Sequence, residues 1–246
     1  MIKVITIITK FIIVTLIALL FGSCNYSVNL KSLTGSGHVT TENRIIQGDF
    51  KNVEVSNAID LVIEQSDKTE IIVEADDNLQ KEITTKVENG VLIVGCEYNS
   101  FINVKSRKVT VKMPIIEGLQ ASSGSSITSA NILKGGNITL NASSAADMNL
   151  NIEFDTISCK ASSGSSVTIN GKALKLETKS SSGSDINAKD LLVNDVIAKV
   201  SSGGSINVHP IVSLNATASS GGDINYNTMP KSIQKSTSSG GSIEQE

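Results

Sequence analysis

A short serine- and glycine-containing motif recurs at nearly constant spacing through the second half of this chain. A Ser-Ser-Gly-like turn begins at seven positions, with intervals of 21, 19, 19, 20, 18 and 19 residues: Ser122, Ser143, Ser162, Ser181, Ser201, Ser219 and Ser238. A fixed period of this length is typical of a solenoid, in which each repeat forms one coil and stacks on its neighbours. This spacing constrains the fold strongly, because stacked coils must share one conformation.

Apolar residues recur at fixed distances from each turn. The residue five positions after the first serine is always apolar: Ile127, Met148, Val167, Ile186, Ile206, Ile224 and Ile243. The residue five positions before it is apolar in every repeat but the first, where it is Glu117. Two short strands per coil with inward ladders fit this pattern. We therefore predict an all-β fold, a right-handed parallel β-helix (β-solenoid) with coils of about 19 residues over residues 119–246.

Glycine stands two positions after the first serine in six of the seven turns, and Ala145 replaces it in the other. Glycine permits the positive φ that a sharp corner needs. We interpret these glycines as structural turn residues: Gly124, Gly164, Gly183, Gly203, Gly221 and Gly240.

Residues 44–118 show period-two alternation of apolar and polar residues, which predicts a strand-rich region before the solenoid. Asn89-Gly90 between two apolar runs predicts a hairpin. The acidic cluster Asp76-Asp77-Asn78 precedes a short helix-like stretch, and we expect it to cap that helix.

The amino terminus has the pattern of an export signal. Lys3 and Lys10 precede an apolar run, Phe11–Phe21. Gly22-Ser23-Cys24 follows this run, and the segment Leu20–Cys24 resembles a bacterial lipobox. We predict a lipoprotein signal peptide over residues 1–23, a lipidated Cys24 that anchors the chain to a membrane, and a flexible tether over residues 24–43; plain secretion and a retained helix are the alternatives. Removal of the signal leaves 19 basic and 24 acidic side chains, a net charge of −5, which argues against nucleic acid as a partner.

Two polar columns follow the turns. Four positions after each first serine, Ser and Asp alternate, which we interpret as charge spacing rather than a metal site. Six positions after it lies a row of amides and hydroxyls, named here the polar row and proposed as a ligand-facing ladder: Thr128, Asn149, Thr168, Asn187, Asn207 and Asn225. Ladder stabilisation alone is the other reading of this row.

The sequence shows no catalytic constellation. His38 and His209 are isolated, and His209 precedes Pro210 in what we expect to be a loop. Cys96 and Cys159 lie in apolar runs, which favours buried free thiols over a disulfide. We predict no catalytic residues, metal or cofactor. A β-helical enzyme acting on polysaccharide remains a rival class.

Several motifs resemble one family: Asn57–Gln65, Val73–Leu79, Thr85–Gly90, and the elements Gly183-Ser-Asp-Ile-Asn187, Gly204-Ser-Ile-Asn207 and Gly222-Asp-Ile-Asn225. Together they resemble the "putative auto-transporter adhesin, head GIN domain" family. The resemblance implies an envelope lipoprotein of Bacteroidota with a right-handed β-helical body and no catalytic residues. We accordingly expect a non-enzymatic, outer-membrane lipoprotein, facing the periplasm or the cell surface, that binds a glycan or a protein; a periplasm-facing scaffold or regulatory partner is the alternative.

Overall fold

A computed structural model describes residues 6, 8–15, 31–98 and 100–246. The chain divides into two units, Met1–Lys31 and Ser32–Glu246. In the first unit, residues 8–15 are helical. No helix within the described ranges is both long and apolar enough to cross a lipid bilayer. Cys24, with the predicted cleavage site and residues 25–30 of the predicted tether, lies outside the described residues.

The second unit is a β-solenoid of about seven turns with a coil spacing of about 19 residues, which confirms the predicted fold class. Its amino-terminal strands are β1 (Ser32–Thr34), β2 (Val39–Asn43), β3 (Asn52–Val55), β4 (Asp60–Gln65), β5 (Glu70–Asp76), β6 (Ile83–Glu88), β7 (Val91–Cys96), β8 (Ser100–Ile102) and β9 (Arg107–Met113). The repeat region follows with β10 (Gly118–Ala121), β11 (Ser126–Ser129), β12 (Leu133–Ala142), β13 (Asp147–Ala161), β14 (Ser166–Ser180), β15 (Asp185–Val200), β16 (Ser205–Ala218), β17 (Asp223–Tyr226), β18 (Ser232–Thr237) and β19 (Ser242–Gln245). One short helix, Asp77–Gln80, follows β5.

Neighbouring coils pair in parallel, so equivalent residues lie directly above one another. Met148 lies opposite Val167, which lies opposite Ile186. All seven residues of this column are buried, with exposed fractions of 0 to 9%. The column before the turns is also buried from Ile138 to Leu214, and Ile233 in the last coil is partly buried. Both predicted inward ladders are therefore confirmed.

Every Ser-Ser-Gly turn has the same backbone conformation. The second serine has φ between 47° and 56°, and the residue after it, Gly or Ala145, has φ between 60° and 77°. The N–H of that residue donates to the turn of the next coil, as Gly164 N does to Ser182 O at 3.1 Å. The turns thus form a hydrogen-bonded column of their own, and the left-handed conformation explains the recurrent glycine.

A buried serine holds the inner side of two of the turns. Ser165 donates its hydroxyl to the last carbonyl of the coil below, Ala142 O, and Ser125 donates to Val55 O, both at 3.0 Å. Where the coil below ends in Val200, the equivalent residue is Gly222. A Cβ on Gly222 would lie 2.9 Å from Cγ2 of Val200. Glycine at this position therefore lets the turn stack closely on Val200.

Two strand pairs of the amino-terminal region lie in the same parallel stack. The pair β3 and β4 stacks beneath β10 and β11, and the pair β7 and β9 stacks beneath β3 and β4. The turn between β3 and β4 has the repeat's conformation, because Asn57 and Ala58 have φ of 62° and 57°. Ala58 N donates to Ser123 O at 3.0 Å and continues the turn column. The stack therefore extends below the repeat visible in the sequence.

Antiparallel strands cover the lower end of the stack. Strand β6 pairs with β7 through a turn at Asn89 and Gly90, so the predicted hairpin is confirmed. Strand β5 pairs with β9 and with β2. The predicted tether of residues 24–43 is therefore wrong for residues 32–43, because β2 pairs with β5 and β1 pairs with β8. These two strands satisfy their backbone groups in the sheets, which a mobile tether would leave to water.

Asp76 does not cap the short helix, contrary to the prediction. No side chain caps the helix amino terminus. The buried Asp76 carboxylate instead accepts backbone N–H groups from Gly37 at 2.8 Å, Lys105 at 2.9 Å and Ser106 at 3.1 Å. Desolvation by burial raises the pKa of Asp76, but these hydrogen bonds and Lys105 outweigh it and hold the pKa below its usual value. The Asp76 carboxylate thereby holds two loops, at Gly37 and at Lys105–Ser106, beside the antiparallel strands that cover the lower end of the stack.

Candidate binding surfaces

The polar row forms a continuous line on the segments that follow the turns, here called the post-turn face. Its residues pair in register through six coils, from Thr128 opposite Asn149 to Asn207 opposite Asn225. Thr128 and Asn149 are exposed, and the four later members are partly exposed. Adjacent coils are about 4.8 Å apart, so the row repeats hydrogen-bonding groups along the solenoid axis at that interval.

Only part of the row is used for bonds within the protein. Asn225 Nδ2 donates to Asn207 Oδ1 at 3.2 Å, which is the ladder bonding considered from the sequence. Among the described residues, no hydrogen bond engages the side chains of Thr128, Asn149 or Thr168. This end of the row therefore keeps donors and acceptors free for a ligand.

The alternating Ser and Asp column has a direct bonding explanation. Ser126 Oγ donates to Asp60 Oδ1 at 2.7 Å, and Ser242 Oγ donates to Asp223 Oδ1. Ser126 lies between Asp60 and Asp147, so it separates the two carboxylates and gives Asp60 a charge-assisted hydrogen bond. Within the described part of the chain, no group of three His, Cys, Asp or Glu residues is arranged to hold a metal ion.

His209 lies in strand β16 and not in a loop as predicted. Its Nε2 is 2.9 Å from the Thr228 hydroxyl, and its Nδ1 is 3.2 Å from both Lys189 O and Asn227 Nδ2. A hydroxyl beside an imidazole is part of a nucleophilic arrangement, but here a carbonyl and an amide, not a carboxylate, contact the other ring nitrogen. The contacts fasten the segment after β17 to two neighbouring coils.

The two cysteines that lie within the described residues are buried and free, as predicted. Burial raises the pKa of Cys159 to about 12, against a weaker lowering by Thr178. Desolvation also raises the pKa of Cys96. Since the thiolate is the reactive form, neither residue is suited to nucleophilic chemistry near neutral pH.

A cleft lies at the corner opposite the serine turns, where β12 to β16 bend, and sequence reasoning missed it. Its volume is about 480 Å³, and Phe154, Leu174, Leu192 and Ile211 line part of it. The three aliphatic side chains are 56%, 48% and 40% exposed. The sequence signal would have been an apolar residue out of phase with the inward ladders, such as Leu192 between the buried Leu191 and Val193.

Sequence comparison places the chain in a family. A model of the "putative auto-transporter adhesin, head GIN domain" family matches residues 49–230. The chain belongs to this family. The match covers both the amino-terminal strand pairs and most of the repeat coils, so the family unit is the stack as a whole. No curated protein matches the chain.

Solved structures with the same fold come from the Bacteroidales. A putative adhesin from Bacteroides fragilis NCTC 9343 superposes with a TM-score of 0.80 at 19% identity, covering 87% of this chain and 100% of that one. A putative lipid binding protein from Parabacteroides distasonis ATCC 8503 gives 0.73 at 22% identity, covering 88% and 100%. A putative adhesin from Parabacteroides merdae ATCC 43184 gives 0.69 at 22% identity, covering 87% and 99%. At these identities the likeness establishes the fold.

Proposed function

We propose that this chain is a non-enzymatic binding module of the cell envelope that uses the polar row to bind a glycan. The observation that carries the proposal is the register of that row. Amides and hydroxyls repeat coil by coil on this face, and the side chains of three successive members, Thr128, Asn149 and Thr168, make no hydrogen bond within the described protein. Amide and hydroxyl groups at a regular interval match the hydroxyl groups of an extended sugar chain.

The envelope location rests on the family and on the amino terminus. The family and two of the solved structures carry the description "putative adhesin", which supports a place in the cell envelope. The lipobox-like segment before Cys24 adds a membrane anchor to the proposal. An anchored solenoid presents its faces to soluble or cell-bound partners without needing a transmembrane helix.

The test is a binding screen of the full chain, purified in mild detergent, against neutral glycans and matrix proteins. A triple variant, Asn149→Ala, Thr168→Ala and Asn187→Ala, should weaken binding to the glycan found by about tenfold or more. The matched control replaces Thr139, Asn141 and Asn215, which are polar residues on the segments that precede the turns, and should retain binding.

Three results would oppose the proposal. Absence of any glycan ligand would remove its basis. Equal loss in the test and control variants would show that the polar row only stabilises the ladder. Turnover of a polysaccharide, abolished by His209→Ala, would support the enzyme class instead.

A further inference from the structure

Three lysines stack in register on the segments that precede the turns, here called the pre-turn face. Lys160 lies opposite Lys179, and Lys179 lies opposite Lys199. All three are exposed. With coils about 4.8 Å apart, three ammonium groups are placed in line over about 10 Å of the solenoid axis. We call this set the lysine ladder.

Within the described part of the chain these charges have no direct ion-pair partner, although Glu177 attracts Lys199 at longer range. Other lysines of these coils and of the coil before them are paired: Lys134 and Lys172 contact Glu153 at 3.2 and 3.5 Å, and Lys175 contacts Glu177 at 2.6 Å. No ion pair among the described residues involves the lysine ladder. Like charges directly opposite each other on neighbouring strands are destabilising. Arrangements that cost stability are expected at functional sites, where a ligand can use them.

The surface around the lysine ladder suits an anionic ligand. A shallow cleft of about 130 Å³ runs between the three lysines, and Ser158, Glu177, Thr178 and Ile197 also line it. The carboxylate in the adjacent row, Glu177, already has Lys175 as its partner at 2.6 Å. Each lysine is followed two residues later by the first serine of a turn, which adds a partly exposed hydroxyl on the same side of the strand.

We propose that the lysine ladder binds an acidic polysaccharide, a linear glycan with carboxylates on successive sugars, laid along the solenoid axis. A line of single charges matches a linear polymer, whereas a membrane surface would favour a broader basic patch. Single-stranded nucleic acid favours aromatic platforms, and no aromatic residue lines this cleft. The lysine ladder adds a second surface to the proposed function and does not depend on the polar row.

The test compares two triple variants with the same change in charge. One carries Lys160→Gln, Lys179→Gln and Lys199→Gln. The control carries Lys134→Gln, Lys172→Gln and Lys175→Gln, which removes three paired lysines from the same region of the solenoid. Binding of the full chain in mild detergent to polygalacturonate oligomers is measured by calorimetry at several salt concentrations, and circular dichroism verifies that each variant is folded.

The lysine ladder variant should bind about tenfold or more weakly than the parent and should lose most of its salt dependence, because fewer counterions are released. The control should bind within about twofold of the parent. Loss in both variants to the same degree would overturn the proposal, since net charge alone would then explain binding. Absence of parent binding, or tighter binding to anionic lipid vesicles or to single-stranded DNA than to the oligomers, would overturn it as well.

The outcome separates this inference from the proposed function. The polar-row variant Asn149→Ala, Thr168→Ala and Asn187→Ala should keep its affinity for polygalacturonate, whereas the lysine ladder variant should keep its affinity for the neutral glycan. A negative result for the lysine ladder therefore does not decide whether the polar row binds a neutral glycan, and the reverse also holds.

Discussion

The turn column allows a reciprocal test of backbone strain. Gly164 and Ala145 occupy the same position of adjacent turns, with φ of 70° and 60°. A Cβ added to Gly164 would meet no atom within 4 Å, so Gly164→Ala changes the backbone preference and creates no clash. Ala145→Gly makes the opposite change in the neighbouring coil. The two substitutions should therefore shift stability in opposite directions.

The expected size follows from two terms. A residue with a Cβ pays about 1–2 kcal/mol to adopt the left-handed conformation. Part of that is offset because alanine restricts the unfolded chain, a gain of about 0.4–1 kcal/mol. We therefore expect Gly164→Ala to lower the free energy of unfolding by about 1 kcal/mol and Ala145→Gly to raise it by a similar amount. For a folded unit of about 200 residues this corresponds to shifts of about 2–4 °C in Tm.

Urea unfolding followed by circular dichroism measures both variants. Gly136→Ala is the control, because Gly136 lacks a positive φ and an added Cβ would approach only Asp155 Oδ2, at 3.9 Å. That variant should be neutral or slightly more stable than the parent. A neutral Gly164→Ala, or a destabilised Ala145→Gly, would refute the view that conformational preference at the turn selects glycine.

Three further predictions test the packing and the charges. Gly222→Ala should cost about 1–3 kcal/mol because the new Cβ would lie 2.9 Å from Cγ2 of Val200; adding Val200→Ala should recover part of this loss, measured as a double-mutant coupling in urea unfolding. Lys179→Gln, between two like charges, should raise the free energy of unfolding by about 0.5 kcal/mol at low salt, with the gain lost in about 1 M NaCl. Asp76→Asn should destabilise the chain by about 1–3 kcal/mol at neutral pH. Because the folded pKa of Asp76 is lowered, its contribution is present above the unfolded pKa and is lost as pH falls through the folded value, so the gap between parent and Asp76→Asn should narrow in acid; an unchanged gap at low pH would contradict that role.

The repeat coils could be predicted because one offset rule applies to all of them. Residues five positions after each turn, and from Ile138 to Leu214 those five positions before it, face inward, so burial at Ile157 or Val167 follows from spacing alone. Successive residues of a strand point to opposite faces, so the residues six positions after each turn had to point outward. The polar row could therefore be predicted. The backbone hydrogen bonds between adjacent coils also repeat, because equivalent residues pair in parallel.

The coil formed by β3 and β4 was missed because its turn lacks the marking residues. Asn57 and Ala58 adopt the repeat's turn conformation without a Ser-Ser-Gly sequence. A signal was present, since Ser56 precedes Leu61 by five residues, as Ser122 precedes Ile127. The order of the strands along the chain also conceals this coil. The strands that stack directly beneath β3 and β4 are β7 and β9, which come later in the sequence, so the lower coils do not follow one another at a constant spacing.

The corner opposite the turns could not be predicted for a different reason. Coils differ in length, and the differences are absorbed there, where the register of β15 shifts against both neighbours, after Thr168 and after Ala188. Residues that stack on one another at this corner therefore do not lie at a constant number of positions from the first serine of a turn. The exposed Leu174 and Leu192 therefore come together only in three dimensions.

Register also explains why the two candidate surfaces have the form of lines. In a parallel stack a single substitution places one group on a face, and only the same substitution in successive coils creates an array. Lys160, Lys179 and Lys199 each lie two positions before a turn, so three independent positions carry the same costly charge. Lys134 and Lys172, by contrast, lie on either side of a carboxylate, Glu153. The unneutralised line is therefore better explained by a linear anionic partner than by the needs of the fold.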